Sequence, residues 1–275
     1  MDSIVEPGRW TRAVAIIAMC ATALLASPGT AYGQGGPPLV TDDPFTPRPW
    51  HWEINTALAS ERGPDGHESE MPAFDLNYGW GSRIELKLEV PYRWVSADGH
   101  EYEGWGNPLA GVKVRFADRL HGWALSMYPQ VEIPLSAARA AALGGDSVWA
   151  FLLPLEAAHS RGRLELAAEA GYWLGHPEVR EAMYGLVLGW IASDKLELLS
   201  ECNGHGDRPL DPRELVCGLG ARRDVTEHVG IMGSFEPVVA GSDPARPRYH
   251  LYLGVQTHVR GGGFWRGARR ALIGK

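Results

Sequence analysis

Ionisable side chains recur along this chain at even spacing. Glu85, Lys87, Glu89 and Arg93 share one stretch; Lys113 with Arg115, Glu165 with Glu169, and Glu197 with Glu201 repeat the pattern, and Glu132 stands in a stretch of its own. On an extended chain, residues two or four apart project to the same side. Acids and bases carried to one face by neighbouring strands have two uses. They pair across strands and fill an interior, or they line a lumen and orient charged solutes passing through it. Both readings stay open at the level of sequence.

Other chemistry is poorly supported. His67, His100, His176 and His205 fall in connections and show no paired ligand spacing, so solvated loops account for them better than a metal centre. Ser126, Ser200 and Ser234 have no histidine at a matching height and face, and no Gly-x-Ser-x-Gly elbow occurs. The expectation is a non-enzyme with no cofactor and no metal.

The elements that carry these charges are strands. From Arg83 to Trp94 the residues Ile84, Leu86, Leu88, Val90, Tyr92 and Trp94 alternate with Arg83, Glu85, Lys87, Glu89, Pro91 and Arg93. Such period-two alternation specifies a strand with one dry face and one wet face. The same reading gives twelve strands, at about 50–61, 70–80, 83–94, 107–116, 122–135, 146–158, 163–174, 179–191, 195–203, 212–222, 228–239 and 247–259. Their connections alternate between short, as at Gly81-Ser82 and Ala192 to Asp194, and long, as at Val95 to Gly106 and Ser136 to Gly145. Short turns at one end and long loops at the other describe an antiparallel meander of outer-membrane type. Strands of this length match the ~9 to 11 residues that cross a bilayer at a tilt.

Aromatic residues gather at both ends. Trp50, Trp52, Tyr78, Trp80, Phe116, Trp123 and Trp190 lie near the short turns, and Tyr92, Trp94, Trp105, Tyr172 and Trp173 near the long loops. Membrane interfaces select such belts because these rings join an apolar body to a polar tip. Pro91, Pro134, Pro154 and Pro237 fall within strands and signal a bulge, a kink or the end of a ladder there.

Composition agrees. Glycine at 34, proline at 20 and tryptophan at 11 suit many strands and turns better than a helical bundle. Residues 1–33 read as a signal peptide: Arg9 and Arg12 precede an apolar run from Ala13 to Ala26, with small residues at Gly29-Thr30-Ala31 and Ala31-Tyr32-Gly33. The net charge of −7 is unchanged when Asp2, Glu6, Arg9 and Arg12 leave together, and it argues against nucleic acid as a partner. Cys202 and Cys217 flank one loop on strands read as neighbours, on the same face, which in an exported chain suits either a disulfide or two buried thiols.

Several segments resemble the outer-membrane proteins named for the MetA pathway of phenol degradation. They are Pro38-Leu39-Val40-Thr41-Asp42-Asp43-Pro44, the hairpin from Tyr78-Gly79 to Ile84-Glu85-Leu86, Leu88-Glu89-Val90-Pro91-Tyr92, and Gly111-Val112-Lys113-Val114-Arg115-Phe116, with an echo from Leu188-Gly189-Trp190 through Ser193-Asp194-Lys195 to Leu196-Glu197-Leu198. The resemblance implies an outer-membrane barrel taking part in uptake of small, often aromatic, compounds, and it brings no residue-level site. Two departures stand out: Ser136-Ala137-Ala138-Arg139-Ala140 replaces a Pro-Thr-Gly-Asp-like turn, and the chain runs past its last strand into Gly261-Gly262-Gly263-Phe264-Trp265 and a basic tail.

The expected architecture is therefore all-β: after a cleaved signal peptide, a single up-and-down transmembrane barrel of about twelve strands. Residues 34–49 form a periplasmic segment or a plug, 50–260 the barrel and 261–275 the basic tail. The expected partners are outer-membrane lipid, a small-molecule solute and the barrel-assembly machinery. Two alternatives stand beside a conducting barrel: a non-conducting structural or sensing barrel, and a soluble periplasmic β-protein.

Overall fold

The alternating stretches fold into one antiparallel ring. A computed structural model describes residues 36–64, 66–97, 99–120, 122–143, 147–175, 180–207 and 212–260. The expected signal peptide, His176 and the basic tail lie outside the described residues. In chain order the strands are β1 (His51–Arg62), β2 (Gly66–Trp80), β3 (Ile84–Ala97), β4 (His100–Trp105), β5 (Leu109–Leu120), β6 (Trp123–Met127), β7 (Gln130–Glu132), β8 (Ala150–Leu152), β9 (Leu155–Arg161), β10 (Leu164–Leu174), β11 (Arg180–Ser193), β12 (Leu196–Gly206), β13 (Glu214–Asp224), β14 (Val229–Ala240) and β15 (Tyr249–Arg260). One helix, α1 (Ala137–Leu143), follows β7.

Pairing of β1 with β15, in a register that sets Trp52 opposite Val259 and Leu58 opposite Leu253, closes the ring. Closure removes the unpaired edges an open sheet would expose. Among the described residues the ring has twelve crossings, because β6 with β7 and β8 with β9 each form one interrupted crossing, and β4 is a hairpin extension of β3.

The interruptions fall at Tyr128-Pro129 and Leu153-Pro154, where proline supplies no ladder donor. The wall stays hydrogen-bonded through their neighbours: Val112 N–H donates to Pro129 O at 3.1 Å and Tyr128 N–H to Pro154 O at 3.1 Å. Pro91 and Pro237 continue within β3 and β14, whereas Pro134 lies beyond β7 and outside any strand. The sheet also extends further into the long-loop end than alternation alone indicates. β1 runs to Arg62 and β2 starts at Gly66, within the first expected long loop, and β4 occupies much of the stretch from Val95 to Gly106. His67, His100 and His205, expected in loops, are therefore in β2, β4 and β12.

The two faces of the ring are opposite in character to those of a water-soluble barrel. Outward residues are large and apolar: Phe151 is 49% exposed, Leu253 53%, Leu155 55% and Leu219 70%. Inward positions bury Asn55, Lys113, Glu156, Glu201 and Glu236 almost completely. Trp80, Trp123 and Trp190 are exposed near the short turns, and Trp94, Trp105 and Tyr172 near the opposite end. Two belt assignments are corrected. Tyr78 is buried beside Trp52, with ring centroids 4.7 Å apart. Trp173 shares the inward face of β10 with Glu165, Ala167 and Glu169, because Tyr172 and Trp173 are adjacent and must point to opposite sides. Cys202 and Cys217, directly opposite each other on β12 and β13, form a disulfide on the outward face.

Candidate functional site

The interior of the ring is lined by side chains whose positions follow from register. Glu85 faces Lys113 across β3 and β5, Glu169 faces Gly185 across β10 and β11, and Glu197 faces Arg222 across β12 and β13. By the same alternation Glu85, Lys87, Glu89, Arg93, Lys113, Arg115, Glu132, Glu165, Glu169, Glu197 and Glu201 all lie on the inward face. They do not form one uniform ladder. Lys87 Nζ lies 2.9 Å from Glu89 Oε1, and Arg93 pairs with Glu68. Glu132 accepts from Asn107 at 2.8 Å, Glu165 from Ser160 at 2.8 Å, and Arg115 donates to Ser82 O near the short turns.

The charges are unevenly distributed around the ring. Lys87, Arg93, Lys113 and Arg115 all belong to β3 and β5. Across β10–β14 the inward face carries Glu165, Glu169, Glu181, Glu197, Glu201, Glu214 and Glu236, with Arg222 as its one lysine or arginine among the described residues. One wall is therefore mixed and the other acidic.

Residues 36–49 lie between these walls. After a tight turn in which Gly36 N–H donates to Thr41 O at 2.8 Å, the segment presents backbone donors to the acidic wall. Val40 N–H and Thr41 N–H reach Glu201 Oε2 and Oε1 at 3.1 and 2.6 Å, and Asp42 N–H reaches Glu169 Oε2 at 2.9 Å. Toward the mixed wall it presents acceptors. Lys113 Nζ lies 2.9 Å from Asp42 Oδ1 and donates to Asp43 O at 2.6 Å, while Lys87 Nζ is 3.6 Å from Asp42 Oδ2. Burial raises the Asp42 carboxyl, but Lys113 and Lys87 outweigh it and hold the group at about 2, below its ordinary 3.8. The Tyr128 ring backs both ammonium groups, its centroid 4.9 Å from Lys113 Nζ and 5.5 Å from Lys87 Nζ.

Farther back, Arg222 Nε donates to Pro37 O and its Nη2 to Gly36 O, both at 2.8 Å, and Ser234 Oγ donates to Pro38 O at 2.7 Å. Leu39 packs into a small apolar cluster with Ala158, Ala167, Val187 and Leu199, with Phe45 against it. Two glycines make room. A Cβ on Gly185 would meet Thr41 Oγ1 at 1.7 Å and Thr41 Cβ at 2.8 Å. A Cβ on Gly218 would meet Glu236 Cγ at 2.3 Å, so its absence lets Glu236 lie beside Glu201, which faces Gly218 across the strand pair.

Several residues that define this arrangement were not singled out among the candidate lining residues: Leu39, Thr41, Asp42, Asp43, Tyr128, Glu156, Arg222 and Glu236. Glu156 and Glu236 continue the inward alternation and were open to the same reasoning. Tyr128 stands at the proline break, where alternation is interrupted. The segment around Asp42 has no periodicity, and its one signal is the motif Pro38 to Pro44 quoted for the family resemblance.

No family model and no curated protein matches the sequence. Solved structures do match. An outer membrane channel from Pseudomonas putida F1 superposes with a TM-score of 0.65 at 12% identity, over 80% of this chain and 99% of that one. The KdgM porin gives 0.54 at 10% identity, over 74% and 98%, and the NanC porin 0.53 at 7%, again over 74% and 98%. None of these names carries the phenol-degradation family. At such identities the likeness concerns architecture, and on it the chain is a closed twelve-stranded antiparallel barrel with the fold of these outer-membrane proteins.

Proposed function

We propose that the protein is an outer-membrane channel for small molecules, in which residues 36–49 constrict the lumen and shift aside during passage. The observation that carries this reading is the inverted ring, with Leu219, Leu253 and Leu155 exposed outside while Lys113, Glu156 and Glu201 are buried inside. Exposed apolar side chains all around a closed sheet are stable against hydrocarbon and costly against water. Short turns would face the periplasm, and the N-terminal segment would occupy the lumen from that side. Twelve strands lie between the eight that side chains fill and the 16 to 18 that leave an open aqueous channel, which suits a lumen that one segment narrows.

The solute class implied by the family resemblance, small aromatic or apolar compounds, has one feature in its favour. Leu39 and Phe45 cover an apolar strip on the inner wall, and their withdrawal would leave Val187, Leu199, Ala158 and Ala167 to receive an apolar group. The filled interior also favours a second reading, a closed barrel with a structural or sensing role.

Planar-bilayer recording of the detergent-purified chain separates the two, once the protein shows the gel shift between unboiled and boiled samples that marks a folded barrel. Stepwise conductance supports the channel. Folded barrels that stay silent in the parent, and also in a variant whose segment is dislodged, support the closed reading. A chain that purifies with the periplasm and without detergent refutes both.

A further inference from the structure

We infer that the solute carries an ammonium group beside its apolar portion, and that Glu201, Glu169 and Glu236 are the site that receives it. This rests on the channel reading and names its substrate class. The segment itself shows the pattern. Leu39 occupies the apolar strip, and the next three residues offer N–H groups to Glu201 and Glu169, which are 2% and 5% exposed. An amide N–H makes a charge-assisted bond to a carboxylate but brings no net charge, whereas an ammonium group offers three donors and a full positive charge to offset neighbouring buried carboxylates.

Glu236 supplies an independent observation. It is 2% exposed, it lies beside Glu201 in the space that Gly218 leaves, and its Oε2 has no hydrogen-bond partner among the described residues. Once the segment leaves, Arg222 still faces Glu197 at 3.6 Å and not Glu201, and His250, opposite Glu236 on β15, stays engaged by Glu214 at 2.8 Å and Glu61 at 3.3 Å. Leu199 and Glu201 are two residues apart on one face of β12, about 7 Å. That is the span of an aromatic ring joined to an ammonium group by two carbons.

A carboxylate solute has a weaker case. The place it would take is that of Asp42 between Lys113 and Lys87, and without Asp42 these lysines still hold Glu156 at 3.5 Å, Asp75 at 3.8 Å and Glu89 at 2.9 Å. Withdrawal of the segment therefore leaves the acidic wall short of donors and the lysines still paired.

The test is block of single-channel current in the full mature chain by 2-phenylethylammonium and by 3-phenylpropanoate, each added to one side, together with the reversal potential in a potassium chloride gradient. The expected result is a cation-selective pore, blocked by the amine at a concentration at least about tenfold lower than by the carboxylate. Glu201→Gln and Glu236→Gln should each abolish that difference, and the second remains informative if the first fails to fold. Equal or stronger block by the carboxylate overturns the inference, as does an unchanged preference in folded variants. Silence from folded barrels, including those with the segment dislodged, removes the channel reading instead.

Discussion

Gly185→Ala tests whether residues 36–49 are a seated element that can be dislodged. The added methyl group would lie 1.7 Å from Thr41 Oγ1, 2.8 Å from Thr41 Cβ and 3.0 Å from Thr41 Cγ2. Rotating the Thr41 side chain clears the oxygen but not the Cβ, so the segment backbone must retreat by about 0.7 Å or more to reach an ordinary carbon contact. Thr41 N–H and Val40 N–H now reach Glu201 at 2.6 and 3.1 Å, and a retreat of that size carries at least the longer bond past the range of a good hydrogen bond. Bonds to charged groups contribute about 1.5 to 3 kcal/mol each, so weakening the pair removes up to about 3 to 6 kcal/mol from the seated state. Even 3 kcal/mol changes the ratio of seated to displaced molecules by about a hundredfold. In planar bilayers the variant should show higher conductance or longer open times than the parent. Adding Thr41→Gly, which deletes the three atoms the methyl group meets, should restore the parental trace. Unaltered conductance in folded Gly185→Ala barrels, or a double variant no different from the single one, refutes the reasoning.

Leu219 is 70% exposed on the outward face of β13, and Leu219→Arg should destabilise the barrel in bilayers by up to about 2 to 4 kcal/mol, read as a lower denaturant midpoint after folding into vesicles. Parental stability would contradict the lipid-facing assignment. Lys113→Met takes from Glu156 the lysine that pairs with it and leaves Asp42 with Lys87 alone, a loss of up to about 3 to 5 kcal/mol that should lower the temperature at which the folded gel band disappears. The Asp42 carboxyl is held below its ordinary value in the seated segment, so its contribution to seating is complete above pH 3.8 and is lost as pH falls through about 2. Asp42→Asn should accordingly raise conductance already at pH 7, and a variant trace indistinguishable from the parent at that pH would show that the Lys113 pair does not hold the segment.

The wall was legible in the sequence because one physical constraint writes it. A strand between hydrocarbon and a charged interior must alternate at every position, and from Ile84 to Trp94 nothing else satisfies both faces. That constraint fixed the number of crossings and the inward face of Glu165, Glu169, Glu197 and Glu201. It weakened wherever alternation served another purpose. At Tyr128-Pro129 and Leu153-Pro154 proline broke the ladder, so two crossings came apart into β6 with β7 and β8 with β9. At the long-loop end, a water-exposed extension such as β4 on β3 needs no apolar face, and from His100 to Trp105 it left no period to read. Helix α1 lies in the same end, in a run of alanines whose helical propensity was outweighed by its reading as a loop.

The segment inside the ring was harder to read, because its binding uses what sequence patterns record least: backbone N–H groups, carbonyl oxygens and missing side chains. In sequence, Gly185 and Gly218 are strand positions without a side chain, and their meaning as space for Thr41 and Glu236 appears only when the opposite contacts are known. Yet the charge distribution did contain a requirement. β10–β14 place Glu165, Glu169, Glu197, Glu201, Glu214 and Glu236 on one inner face against Arg222. Buried carboxylates demand donors or cations, so some element outside that wall had to supply them. Ser160 serves Glu165 and His250 serves Glu214, and for Glu201 and Glu169 the donors are the N–H groups of Val40, Thr41 and Asp42. On the proposed channel reading, passage that displaces them must bring a replacement or leave those carboxylates to water, so that the seated segment and the solute would compete for the same oxygens.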